Sequence, residues 1–189
     1  VDGKKTYLVL FQNNMELRPT GGFIGSYGLL SFEEGKFLVL EVFDVYSADG
    51  QLRGHVEPPA PIKKYLTEPH WFLRDSNWDP DFASSATQAA WFLEKEVGQK
   101  VDGVMAIDTS LVALVLSGIG EISLPDYQEI INRDNLYEKA QFYAQENFFP
   151  GSRQKADFLG TLARGMINKL TNDKNIPWLA VFGIKLYLD

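Results

Sequence analysis

Apolar and polar positions come in blocks along the first quarter of the chain. Tyr7 to Phe11, Phe23 to Phe32 and Phe37 to Tyr46 are rich in β-branched and aromatic residues, and short turns bearing Gly or Asn separate them. That is the pattern of a strand meander. The third run stays apolar at odd and even positions alike until Asp44, which predicts a central strand covered on both sides with an exposed, acidic end. From Ser47 to Pro80 no period is sustained, and a long irregular excursion over one edge of the sheet is expected.

Helical spacing takes over afterwards. Ser84 or Ser85 can cap a helix running to Val97, with Ala86, Ala89, Ala90 and Leu93 turned inward. Val101 to Ile107 reads as a further strand, and Asp108-Thr109-Ser110 opens a second helix that ends at Gly118. Glu121 to Leu124 suits a short strand and Asn135 to Glu146 a helix. After Pro150-Gly151, Ser152 can cap a long amphipathic helix in which Phe158, Leu162, Met166 and Leu170 recur at four-residue spacing. Trp178 to Leu188 reads as a last strand, with a helix over Ile176 to Leu188 as the alternative. The expected class is α/β, with a central mixed or mainly antiparallel sheet flanked by helices on both faces, in one domain spanning 1–189.

Composition narrows the chemistry. The 189 residues are 45% hydrophobic and carry a formal charge of -7. With a pI near 4.9 and no basic stripe, a nucleic-acid partner is not expected. Cysteine is absent, which removes thiol nucleophiles, cysteine-ligated zinc and disulfides. No signal peptide or apolar span is visible and the chain begins at Val1, so a soluble fragment of a longer protein is expected.

Charged and polar residues gather at the ends of the apolar runs, where an open sheet presents functional groups. Glu16, Arg18 and Thr20 precede Gly21-Gly22, a pair that frees backbone N–H groups for a close ligand, while Arg18 supplies a fork for phosphate or carboxylate. The alternative there is an ordinary hairpin with a surface arginine. Asp44 and Asp49 follow the third run, and Arg74-Asp75-Ser76-Asn77-Trp78-Asp79-Pro80-Asp81 closes the excursion. Hard oxygen ligands such as Asp44, Asp49, Asp75, Asp79 and Asp81 suit Mg²⁺ or Ca²⁺, and Arg18, Arg74 and Arg153 suit phosphate oxygens bridged by such an ion. Asp79 and Asp81 also read as turn and cap chemistry. Trp71, Phe72 and Trp78 can floor a groove or pack the excursion onto the sheet. His55 and His70 read as loop braces, and no Gly-x-Ser-x-Gly elbow or P-loop is present.

The stretch Leu10 to Gly25, with Asn13, Glu16, Leu17, Arg18, Thr20, Gly21, Gly22 and Phe23, resembles the opening of the bacterial domain family of unknown function 4012. Asp44 to Asp49, Arg74 to Trp78 with Asp81-Phe82, and Val101-Asp102-Gly103-Val104 followed by Asp108 extend that resemblance. The order of elements also resembles the LytR-CpsA-Psr family of cell-wall glycopolymer transferases, through Val101 to Asp108, Gly118-Ile119-Gly120-Glu121-Ile122, Ala140 with Tyr143, and Arg153-Gln154. The second resemblance implies an extracytoplasmic domain anchored to the membrane by a segment outside this chain. It further implies a polyprenyl-pyrophosphate-linked glycan as ligand, its tail in an apolar tunnel, and phosphotransfer to a cell-wall polymer by arginines and a metal-holding acid. On that footing Arg18, Arg74, Asp75 and Arg153 are the expected catalytic groups, Glu16, Thr20, Gly21, Gly22, Asn77 and Trp78 the substrate contacts, and Asp44 and Asp49 the Mg²⁺ ligands. Gln145 stands where the transferase pattern has an arginine, so a non-catalytic module binding glycan, lipid or protein during envelope assembly is the competing expectation. A metal-dependent phosphoesterase is a third, lacking a dense ligand signature.

Overall fold

The computed structural model describes residues 3–145 and 153–172. The chain divides into two units, residues 1–108 with 149–153 and residues 109–148 with 154–189.

The first unit is built on a four-stranded sheet of order β3-β2-β1-β4. Strand β1 (Lys4–Asn13) runs antiparallel to β2 (Phe23–Glu33) and parallel to β4 (Gly103–Asp108), and β3 (Lys36–Asp44) adds antiparallel to β2. The mixed α/β class expected from the sequence is therefore observed. On one face Leu8 and Leu10 of β1 join Ile24, Tyr27, Leu73 and the inward side of α2 (Phe82–Val97) in one core. Ala89, Phe92 and Leu93 of α2 are fully buried there. Burial of side chains the size of Phe92 and Leu93 contributes roughly 1.5–3 kcal/mol each.

Three sequence expectations change. The third apolar run is an edge strand rather than a central one: β3 pairs only with β2, and Phe37, Leu38 and Val39 are 38%, 45% and 40% exposed. Its end is not exposed either, since Asp44 is buried. The Asp44 carboxylate accepts the Tyr46 amide at 2.9 Å, which stops the strand and opens the short helix α1 (Val45–Asp49), so Tyr46 is helical. Helix α2 likewise starts earlier than expected: Asp81, not a serine, caps it by accepting the Ser84 amide at 2.8 Å. Its inward residues are Ser85, Ala89, Phe92, Leu93 and Glu96.

In the second unit α3 (Thr109–Ile119), α4 (Leu136–Gln145) and α5 (Gln154–Asn172) accompany a two-stranded ribbon of β5 (Ile122–Leu124) and β6 (Glu129–Ile131). Phe158 and Leu162 are buried with Leu116, Ile119 and Leu136, and Met166 and Leu170 pack on them, as the four-residue spacing predicts. Strand β6 was not visible in the sequence, because three residues are too few to show a period. Ser152 and the expected last strand, Trp178 to Leu188, lie outside the described residues. No helix among those described is long and apolar enough to cross a membrane.

Candidate functional site: a buried arginine and carboxylate network

The site is assembled at the C-terminal end of β1, where the chain turns back toward β2. Within that turn Asn13 Nδ2 donates to Glu16 Oε1 at 2.8 Å, and the Phe23 amide donates to the Glu16 carbonyl at 2.9 Å. Gln12 Nε2 donates to Thr20 Oγ1 at 3.0 Å. Gly22 is required because a Cβ there would lie 2.2 Å from the Asn13 carbonyl oxygen. Its own carbonyl accepts from Asn77 Nδ2 at 2.8 Å, tying the turn to the loop that follows the excursion.

That loop carries a single 3-10 turn, Leu73–Asp75, fixed at both ends. Glu96 of α2 accepts the Leu73 amide at 3.1 Å, and Trp71 Nε1 donates to the Asp75 carbonyl at 2.9 Å. Trp71 stands edge-on to Phe92, ring centroids 5.3 Å apart, so packing onto the core is its observed role.

Between turn and loop the charges meet. Arg18 Nε and Nη2 both donate to Asp75 Oδ1 at 3.1 Å, while Nη1 donates to the Leu17 carbonyl. Arg74 Nη1 donates to Asp49 Oδ2 at 2.9 Å and Nη2 to Glu68 Oε2 at 3.1 Å, with Nε 3.4 Å from Asp75 Oδ2. The Arg74 guanidinium lies 4.5 Å from the Phe72 ring centre and 5.6 Å from that of Tyr46, and Arg18 lies 5.2 Å from that of Phe23. Such stacked, forked contacts are made by arginine and not by lysine.

Burial governs the titration of the acids. It pushes Asp49 up to about 6 even though Arg74 pulls the other way. It pushes Glu96 up to about 8, helped by the charge of Asp49. Asp75 is raised by burial against the opposing pull of Arg18 and Arg74. Among the described residues Asp49 Oδ1, Glu96 Oε2, Ser76 Oγ and Asn77 Oδ1 are buried without a hydrogen-bond partner. Unsatisfied buried oxygens are uncommon and mark a place where a ligand, an ion or water completes the structure.

The expected residues thus separate into groups. Arg18, Arg74, Asp75 and Asp49 converge. Gly21, Gly22 and Asn77 brace the backbone around them, and Glu16 and Thr20 brace the turn, Glu16 on its exposed side. Trp78 is half-buried and Asp44 is the cap of α1. Arg153 is exposed at the bend before α5. No three His, Asp or Glu side chains converge as an ion site among the described residues. His55 and His70 brace the loop through facing Nδ1 atoms 2.7 Å apart. Sequence reasoning missed Glu96 and Glu68. Glu96 was detectable, since its spacing from Ala89, Phe92 and Leu93 places a carboxyl on the apolar stripe of α2. Glu68 gives no such signal.

An apolar cavity of 290 Å³ is lined by Tyr7, Leu30, Phe32 and Met105 with Gly3, Lys5 and Gly35. Gly3, Lys5 and Tyr7 place it toward the start of β1, six to ten residues before Asn13, which at 3.3 Å per residue is roughly 20–33 Å from the charged turn.

The model of the family described as protein of unknown function (DUF4012) matches residues 2–143. Among solved structures, TagV of B. subtilis is similar, with a TM-score of 0.56 and 12% identity, over 93% of this chain and 68% of that one. So is yvhJ of Bacillus subtilis, titled a transcriptional regulator, with a TM-score of 0.54 and 10% identity, over 96% of this chain and 68% of that one. No curated protein matches the chain. The fold bears out the LytR-CpsA-Psr-like architecture expected from the order of elements. By the long match over its first three quarters, the chain belongs to the DUF4012 family.

Proposed function

We propose that the chain is an extracytoplasmic cell-envelope domain that binds a polyprenyl-(pyro)phosphate-linked glycan, with Arg18 and Arg74 holding the phosphate oxygens. The carrying observation is the convergence of two guanidiniums on Asp75, that of the adjacent Arg74 and that of Arg18, 57 positions before it. Likeness of fold to TagV supports the envelope setting. Guanidinium forks match phosphate geometry, and stacking on Phe72 and Phe23 holds them without loss of charge. Arg153 joins this reading as a third cation to be tested with the other two.

Mg²⁺ fits as an ion shared with the substrate. Asp49 Oδ1 is a buried oxygen with no partner, and a hard cation of this kind is commonly held by one or two carboxylates plus phosphate oxygens. Asp44, whose carboxylate caps α1 through the Tyr46 amide, is the second carboxylate proposed for the ion. When bound, the ion supplies charge neutralisation on the phosphates. Transfer of the glycopolymer to a cell-wall polymer would then rest on Arg18 and Arg74 stabilising charge on the departing phosphate.

A non-catalytic binding module in envelope assembly is the second reading. It is favoured by the carboxylates already facing every nitrogen of Arg74, an arrangement that also serves as a brace.

The test is calorimetric affinity for a polyprenyl pyrophosphate, with and without Mg²⁺, in wild type, Arg18→Ala, Arg74→Ala and Arg153→Ala. Metal-dependent binding lost in the first two variants is expected. Binding that survives both, or is absent from wild type, overturns the reading. Release of polyprenyl phosphate in the presence of a cell-wall acceptor separates transfer from binding alone.

A further inference from the structure

We propose that Glu68 is a latch on this site: its carboxylate occupies the edge of Arg74 that an incoming phosphate must take, and it swings away about Thr67 when the ligand arrives. The inference rests on the phosphate-binding reading above and adds how that site is kept closed.

The argument is the geometry around one guanidinium. Its planar group has two faces and three nitrogens. The rings of Phe72 and Tyr46 stand against it, their centres 4.5 and 5.6 Å from its carbon. Nη1 and Nε are directed at Asp49 and Asp75, whose side chains are only 5% and 3% exposed. Those partners are buried, so the nitrogens facing them are not where a ligand first arrives. Nη2 alone faces a partner in contact with solvent, Glu68, whose side chain is 37% exposed. A phosphoryl oxygen seeking Arg74 therefore meets Glu68 first, and a carboxylate oxygen at 3.1 Å is a fair imitation of it.

The segment carrying Glu68 is built to move at one place. Thr67 sits in the left-handed region, with φ 56 and ψ 24, directly after the one-turn π-helix Ile62–Leu66. A β-branched residue there is strained. Pro69 follows and confines Glu68 to extended backbone. Upstream, Ile62 is fully buried, and downstream the Trp71 amide donates to the Val56 carbonyl at 2.9 Å. With both ends anchored, the strained Thr67 is where backbone rotation relieves energy, and the ion pair to Arg74 is what opposes it. A phosphate replacing Glu68 on Nη2 removes that opposition.

The experiment titrates geranylgeranyl pyrophosphate with Mg²⁺ into wild type, Glu68→Gln, Thr67→Asn and Arg74→Ala, and follows hydrogen exchange over residues 62–70. Glu68→Gln removes the competing charge and should tighten binding about fivefold, the scale of a partly exposed ion pair. Thr67→Asn, with a side chain that tolerates the left-handed region, should hold the latch shut and weaken binding about twofold. Ligand should speed amide exchange at 67–70 in wild type. If Arg74→Ala loses binding while Glu68→Gln matches or falls below wild type, the latch is wrong and the phosphate site stands. If neither wild type nor Glu68→Gln binds, the phosphate site is wrong and the latch falls with it.

Discussion

Arg18 grips Asp75 from the side, two of its nitrogens sharing one carboxylate oxygen at 3.1 Å, while the other carboxylate oxygen faces Arg74. With Arg18 and Asp75 only 13% and 3% exposed, the pair is largely shielded from water. Removing one member leaves the other charge buried, which typically costs about 3–5 kcal/mol. Arg18→Ala should lose somewhat less, about 2 kcal/mol, because Arg74 still faces Asp75. A double-mutant cycle with Asp75→Asn, read by urea unfolding, should return a coupling of about 1–3 kcal/mol. A coupling near zero would mean the pair is an incidental surface contact.

Arg74 cannot be exchanged for lysine. Its three nitrogens address three carboxylates while the rings of Phe72 and Tyr46 stand against it, and an ammonium can reproduce neither the fork nor the stacking. Arg74→Lys should lower stability by about 2 kcal/mol with charge unchanged. Unfolding midpoints of Arg74→Lys and Arg74→Met decide the matter: a Lys variant close to wild type would show that charge alone was needed.

The Gly22 position tests the turn on its own. A methyl there would be driven to within 2.2 Å of the Asn13 carbonyl oxygen, so Gly22→Ala should displace the turn and cost about 3 kcal/mol. Gly35→Ala, where nothing lies within 4 Å, carries only the conformational penalty, about 1 kcal/mol. Similar unfolding midpoints for the two variants would count against close backbone approach as the reason for glycine.

How much of this was legible before the coordinates depends on the range of the interaction. The stripe of Phe158, Leu162 and Met166 announces α5, because helix burial repeats locally and each turn reports the same face. The runs around Leu8 and Ile24 announce β1 and β2 for the same reason. The placement of β3 was illegible, since an edge strand with Phe37, Leu38 and Val39 partly covered reads as apolar on both sides. Helix α1 was hidden by its five residues, fewer than two turns. At the site, Arg18, Asp49, Arg74 and Asp75 were visible as charges at the ends of apolar runs. Their pairing was not, because it depends on how the turn after β1 and a loop distant in sequence come to face each other at the end of that strand.

Glu96 makes the sharpest prediction about pH. It sits on the buried face of α2, 5% exposed, with Oε1 on the Leu73 amide and Oε2 without a partner. Burial raises it from 4.5 to about 8, and Asp49 moves in the same direction, to about 6. The folded protein therefore binds more protons than the unfolded chain across this window. Stability is greatest on its acid side and falls as pH rises through 5 to 8, levelling off above. The exposed carboxylates shifted the other way, Glu57, Asp81 and Asp102, complete their titration below that window and do not compete. Glu96→Gln keeps an oxygen for the Leu73 amide and removes the ionisation. Relative to wild type it should be gained in stability at pH 9 by more than about 1 kcal/mol, one pKa unit's worth, and close to unchanged at pH 5. Urea unfolding of both proteins at half-unit steps of pH gives the two curves. Parallel curves would place the Glu96 carboxyl in contact with water rather than in the core.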